Sequence, residues 1–255
     1  PGVPEQRVFS KRFDYDPAGR LINTWLQLDN RPEILLRQNT WNELDQLVDV
    51  KLHSTDNGVT FRQSVDYRYN IRGWISSVNN SALIADGISN DETSDLFGLN
   101  LFYEAADASI KNSPDFSGNV SAIRWSTNQG KSIEKERAHR FFYDPMDRLR
   151  AAEMLNNRSG WLLNSASREE GITYDLNGNL LAIRRTDENG NTQDQLRYLY
   201  GTASDYGNKL LSIQDSGDPL SGFQDVQASV DYTYNLAGSL TADRNAKISG
   251  IEYNQ

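Results

Sequence analysis

At 255 residues, with 37% apolar and 10% aromatic side chains, the chain is long enough for one all-β domain or two small ones, but its core must be thin and rich in rings. That composition suits cross-strand packing in a sheet better than a bundle of amphipathic helices. A net charge of −9 without clustered Lys and Arg argues against nucleic acid, the absence of Cys excludes disulfides and thiolate chemistry in this segment, and no apolar run approaches the roughly 20 residues of a membrane span.

In chain order, Phe13 and Tyr15 alternate with Asp14, the period of a half-buried strand, and lead into Asp16-Pro17-Ala18-Gly19-Arg20-Leu21. Trp41-Asn42-Glu43-Leu44-Asp45-Gln46-Leu47 keeps the same frame, and Asp56-Asn57-Gly58 marks a hairpin turn at the opposite end of the strands. Tyr67 and Tyr69 alternate with Arg68 before Asn70-Ile71-Arg72-Gly73-Trp74-Ile75. The stretch from Asn79 to Glu92 is small and polar and reads as a mobile surface loop, within an irregular insert of about residues 79–114. Two further strands are expected in Asp95 to Glu104 and Phe116 to Trp125. Lys131 to Arg140 alternates in charge and reads as a solvated face.

The frame returns in Tyr143-Asp144-Pro145-Met146-Asp147-Arg148-Leu149 and Tyr174-Asp175-Leu176-Asn177-Gly178-Asn179-Leu180. Two strands are expected around Asn189-Gly190, then a copy with a lengthened turn from Tyr198 and Tyr200 to Gly207-Asn208-Lys209-Leu210. Tyr232 and Tyr234 lead into Asn235-Leu236-Ala237-Gly238-Ser239-Leu240, and Ile251 to Gln255 begins another copy.

Each place in the frame has a physical task. Asp or Asn after the aromatic can bond to the backbone two residues on and start a turn, while Pro17 and Pro145 pre-set φ for a type I turn. The fifth place needs positive φ, which Gly19, Gly73, Gly178 and Gly238 supply freely and Asp45 and Asp147 tolerate. A type I turn followed by a left-handed residue is a three-residue hairpin connection with a bulge. The chain is therefore expected to be all-β: antiparallel hairpin repeats in one continuous twisted or spiralling sheet, with Tyr15, Trp41, Tyr69, Tyr143, Tyr174 and Tyr234 leading and Leu21, Leu47, Ile75, Leu149, Leu180 and Leu240 closing each turn.

These copies resemble the YD repeats of rearrangement-hotspot (RHS) proteins, and the resemblance covers nearly the whole chain. Asp95-Leu96-Phe97-Gly98 followed by Ser117-Gly118-Asn119-Val120-Ser121 and Trp125 looks like the variant common in Bacteroidetes RHS proteins. The resemblance implies a sheet that winds as a strip, a partial RHS shell or solenoid-like strip, around or beside an effector domain of the parent polypeptide. It also implies a secreted or cell-surface location and other repeats as partners. The family's C-terminal core segment has no counterpart in the sequence, so residues 1–255 are expected to be a single array, uncapped at both ends and cut from a longer protein.

Catalytic patterns are missing. His53 and His139 stand in no metal-binding spacing, and neither a Gly-x-Ser-x-Gly elbow nor a phosphate-binding Gly-Lys-Ser loop occurs. Asp187, Asn189 and Asn191 imitate the start of a calcium loop, but Thr192 stands where its glycine belongs. No catalytic, cofactor-binding or metal-binding residue is expected, and the protein is not expected to be an enzyme. The acids of residues 79–114 are expected to be solvated. The alternative to a structural segment is a surface module that recognises glycans or a partner protein through ring faces, with Trp25, Trp74, Trp125 and Trp161 as its contacts.

Overall fold

The computed structural model describes residues 7–128, 136–201 and 207–254. Among them there is no helix, and the strands are β1 (Phe9–Tyr15), β2 (Leu21–Leu28), β3 (Ile34–Trp41), β4 (Leu47–Ser54), β5 (Gln63–Tyr69), β6 (Ile75–Val78), β7 (Phe97–Phe102) and β8 (Ala122–Thr127). They continue as β9 (Glu136–Tyr143), β10 (Leu149–Asn157), β11 (Trp161–Tyr174), β12 (Leu180–Thr186), β13 (Thr192–Tyr200), β14 (Leu210–Asp215), β15 (Tyr232–Tyr234) and β16 (Leu240–Asp243). The first 14 form one sheet in which every strand's neighbours are those before and after it in sequence, and the sheet does not close on itself. Among the described residues no helix is long and apolar enough to cross a membrane.

The chain divides into two compact units, Pro1–Phe102 with Ile123–Ala138, and Tyr103–Ala122 with His139–Gln255. In the first unit the apolar centre is Leu35 and Val50, on β3 and β4, and the register Leu35 to Trp25 and Leu35 to Ser54 fixes which face they occupy. In the second, Ile110, Ala152, Leu155, Ile172, Leu196 and Ile213 are buried. Both centres are small, as the composition requires, and side-chain hydrogen bonds carry much of the remaining order.

Several expectations are corrected. Within the loop expected from Asn79 to Glu92, Ala82, Ile84 to Ile88 and Asp91 are exposed as expected, but Asn79, Asn80, Ser81 and Asn90 are buried, and Asn79 mimics a strand residue by accepting from the Asp66 N–H through Oδ1 while donating its own N–H to the Asp66 carbonyl. Within the insert of 79–114, the strand expected in Asp95 to Glu104 is β7. Phe116 to Ser121 is not strand, because the Asp115 carboxylate accepts from the N–H groups of Ser117 and Asn119 and folds the backbone into a turn.

The two strands expected around Asn189-Gly190 are β12 and β13, paired antiparallel. Asp187 accepts from the N–H of Asn189 and Asn191, and Gly190 has φ +86°, so this connection repeats the Tyr-Asp turn; Asp56-Asn57-Gly58 lies in a longer connection between Ser54 and Gln63. Continuity fails at the last hairpin, since β15 and β16 form a separate pair. There Asp231 donates its N–H to the Leu211 carbonyl, but its carboxylate takes the Ile213 N–H that a neighbouring strand carbonyl would otherwise accept. Residues 131–135 of the alternating-charge run and Gln255 lie outside the described residues.

Candidate functional site

The recurring turn is the best-defined local chemistry in the chain. Asp16 Oδ1 accepts from the N–H groups of Ala18 and Arg20, both at 2.9 Å, while the Gly19 N–H donates to the Asp16 carbonyl at 2.9 Å. Asn42, Asn70, Asp144 and Asp175 repeat the pattern at their own turns. The fifth residue is left-handed in each: φ is +82° at Gly19, +59° at Asp45 and Asp147, +78° at Gly73, +87° at Gly178 and +86° at Gly238. These carboxylates are held below their usual range: Asp16 chiefly by the Arg20 N–H, Asp144 by the Arg148 guanidinium and Asp175 by the Asn179 amide. Carboxylates committed in this way have no free base to offer.

A second regularity joins one turn to the next. The bulge beside each turn leaves the closing Leu outside the paired register with the following strand; β2 and β3, for example, begin pairing at Asn23 and Gln38. The displaced carbonyl receives a donor from the ring that leads the next turn. Tyr69 Oη donates to the Leu47 carbonyl at 2.8 Å, Tyr143 to Val120 at 2.7 Å, Tyr174 to Leu149 at 2.8 Å, Tyr200 to Leu180 at 2.9 Å, Tyr234 to Leu210 at 2.8 Å and Tyr253 to Leu240 at 2.8 Å. Trp41 performs the same task through Nε1, 3.0 Å from the Leu21 carbonyl. Sequence reasoning assigned these rings to packing and missed their polar hydrogens; the available signal was that every leading residue is Tyr or Trp and none is Phe.

The four tryptophans named as ligand contacts lie on or beside different strands. Trp25 lies within β2, where its Nε1 donates to Asp14 at 2.7 Å and the Arg12 guanidinium lies 4.7 Å from its ring centre. Trp74 precedes β6 beneath Arg72, 5.2 Å away, and Trp125 lies on β8. Trp161 opens β11 in the other unit. All four rings are half-buried.

One cluster of acids is tuned. Carboxylate oxygens of Asp66, Asp91 and Glu92 lie within 4.8 Å of one another. Asp66, on β5, is 3% exposed, and burial pushes its carboxyl up to about 6. Burial, reinforced by Asp91, pushes Glu92 up to about 7, while Asp91 is lowered first by its hydrogen bond with Glu92. Glu92 therefore departs from the expected solvated loop, because its segment folds back onto β5, whereas Asp86 and Asp91 are exposed as expected. The three carboxylates are close enough to share a proton, while the Asp91 N–H, donated to Asp66 at 3.2 Å, favours ionised Asp66 and offsets part of the effect of its burial. Of the two histidines, His53 has φ +57° at the end of β4, and burial lowers the pKa of His139 on β9.

No protein-family model and no curated protein matches the chain. Among solved structures, that of TcdB2-TccC3 without its hypervariable C-terminal region matches 91% of this chain at 18% identity, with a TM-score of 0.53. This chain spans 11% of that chain's length. TcdB2-TccC3-TEV matches 92% of this chain and 12% of its own at 13% identity and a TM-score of 0.38. A Photorhabdus luminescens Tc holotoxin pore matches 82% and 13% at 14% identity and a TM-score of 0.30. The first likeness is one of fold, and the two lower scores add nothing to it.

Proposed function

We propose that this chain, which has the YD-repeat fold of RHS proteins, is a non-catalytic structural segment that encloses or displays another part of its parent polypeptide, an effector in the toxin-type arrangement. The observation that carries the reading is the repeated joint from leading ring to displaced carbonyl. It commits the hydroxyls of Tyr69, Tyr143, Tyr174, Tyr200 and Tyr234 to holding successive hairpins in register, as the turns commit their Asp and Asn side chains. A residue type recurring at a place where it has a structural bond does not need a ligand to account for it. An extracellular location and other repeats as immediate neighbours belong to the same reading.

The test is limited proteolysis of the full parent polypeptide, with and without Tyr143→Phe, Tyr174→Phe and Tyr200→Phe combined. Enclosure predicts a protected region outside residues 1–255 that becomes cleavable when the joints are weakened. Unchanged cleavage in a variant whose sheet is measurably destabilised would overturn it. A glycan array supplies the contrasting result, since saturable sugar binding lost on Trp25→Ala or Trp125→Ala would favour a binding module.

A further inference from the structure

One face of β4 and β5 is polar and yet covered. Asp49 and Lys51 on β4 stand opposite Asp66 and Ser64 on β5, and Arg68 lies two residues beyond Asp66 on the same face. Residues 86–96 lie across it. Arg68 donates through Nε to the Ile88 carbonyl, Asp91 donates its N–H to Asp66, and Gln63 donates to Asp95 at 3.3 Å. The segment is braced from within: Asn90, fully buried, donates to Asp95 at 2.6 Å, and Asp86 accepts from the N–H groups of Ile88, Ser89 and Asn90.

The charges in this contact do not balance. Asp49, Asp66, Asp91 and Glu92 face two cations, Lys51 at 3.6 Å from Asp49 and Arg68 at 3.7 Å from Asp66. With all four acids ionised, two negative charges would stay uncompensated beside the buried Asp66, with Glu92 half-buried and Asp91 exposed.

We propose that residues 86–96 form a pH-gated strap, closed on β4 and β5 while Asp66, Asp91 and Glu92 share a proton and loosened when that proton leaves. Both Asp66 and Glu92 are raised in the fold, from 3.8 to about 6 and from 4.5 to about 7. The closed strap therefore has its full stability below the unfolded values near pH 4 and loses it as pH rises through 6 to 7. Asp91 is lowered instead, so its contribution is present throughout this window and declines only in stronger acid. Asp95, buried and also raised, acts in the same direction as Asp66 and Glu92.

The test is hydrogen exchange on the full chain at pH 5.5 and 8.0, corrected for intrinsic rates, with the amides of β2 and β3 as an internal reference. The strap predicts that protection at residues 84–96 falls by at least about tenfold at the higher pH, a conservative fraction of the shifts above because Glu92 is only half-buried. Protection in Glu92→Gln should fall by clearly less than in the wild type, since only Asp66 and Asp95 still titrate there. If that variant does not fold, Asp91→Asn, which removes the neighbouring charge, carries the same expectation. Protection independent of pH in the wild type, or an equal fall in the variant, would overturn the proposal.

Discussion

Tyr174→Phe isolates the joint between repeats. The substitution deletes one oxygen, the donor that reaches the Leu149 carbonyl at 2.8 Å, and leaves the ring beneath Arg148, whose guanidinium lies 4.5 Å from the ring centre. Packing and the cation–π contact are therefore kept. The cost is a lost hydrogen bond plus a carbonyl left poorly satisfied at the bulge, about 1–2 kcal/mol together. Tyr15→Phe is the matched control: Tyr15 is 59% exposed, its ring leads the first turn, and its loss of a hydroxyl should stay within about 0.5 kcal/mol. Equilibrium urea unfolding of both variants reads the difference as a shift in midpoint at constant slope. Equal midpoints for Tyr174→Phe and Tyr15→Phe would show that the hydroxyl does not hold the hairpins together.

Other perturbations probe other layers of the structure. Gly178→Val should cost at least about 2 kcal/mol through backbone strain at φ +87°, since no atom lies within 4 Å of an added Cβ, whereas Gly178→Asn should cost less than about 1 kcal/mol; equal thermal stability of the two would refute the turn geometry. Gly98→Ala should destabilise by about 2 kcal/mol or more for a different reason, because its Cβ would stand 1.9 Å from the Asn80 carbonyl oxygen. Unchanged melting there would mean that residues 80–98 are not packed as described. Replacing Asp91 and Asp107 with Asn together should produce neither loss nor gain of hydrolytic turnover on glycan, peptide or ester substrates, and turnover that disappears with them would make the chain an enzyme.

The turns were legible because their chemistry is local. Asp16 and Gly19 lie three residues apart, and the requirement for positive φ is met by Gly or Asp in each copy, so identity and spacing sufficed. The strands followed from the alternation of Tyr67 with Tyr69 and of Tyr232 with Tyr234. The joint was not legible in the same way: the acceptor of Tyr174 is a backbone carbonyl 25 residues earlier, exposed by a bulge that has no residue signature of its own. Residues 79–96 misled because Asn, Ser and Asp mark solvated loops by composition, yet Asn79 and Asn80 here use their amides to replace backbone hydrogen bonds. Burial then follows from satisfied polar groups and not from hydrophobicity. The hairpin around Asn189-Gly190 was legible, while the width of the connections, which Asp56 and Asp187 organise, was not.

Electron cryomicroscopy of the intact parent polypeptide tests the central claim most directly. The structural reading predicts that residues 7–215 follow the strand order seen here, with the rings of Tyr69, Tyr143, Tyr174 and Tyr200 against the preceding turns, and that another part of the parent lies against the sheet. A map in which this segment stands apart as an isolated, fully solvated module, with nothing enclosed or held by it, would contradict the account.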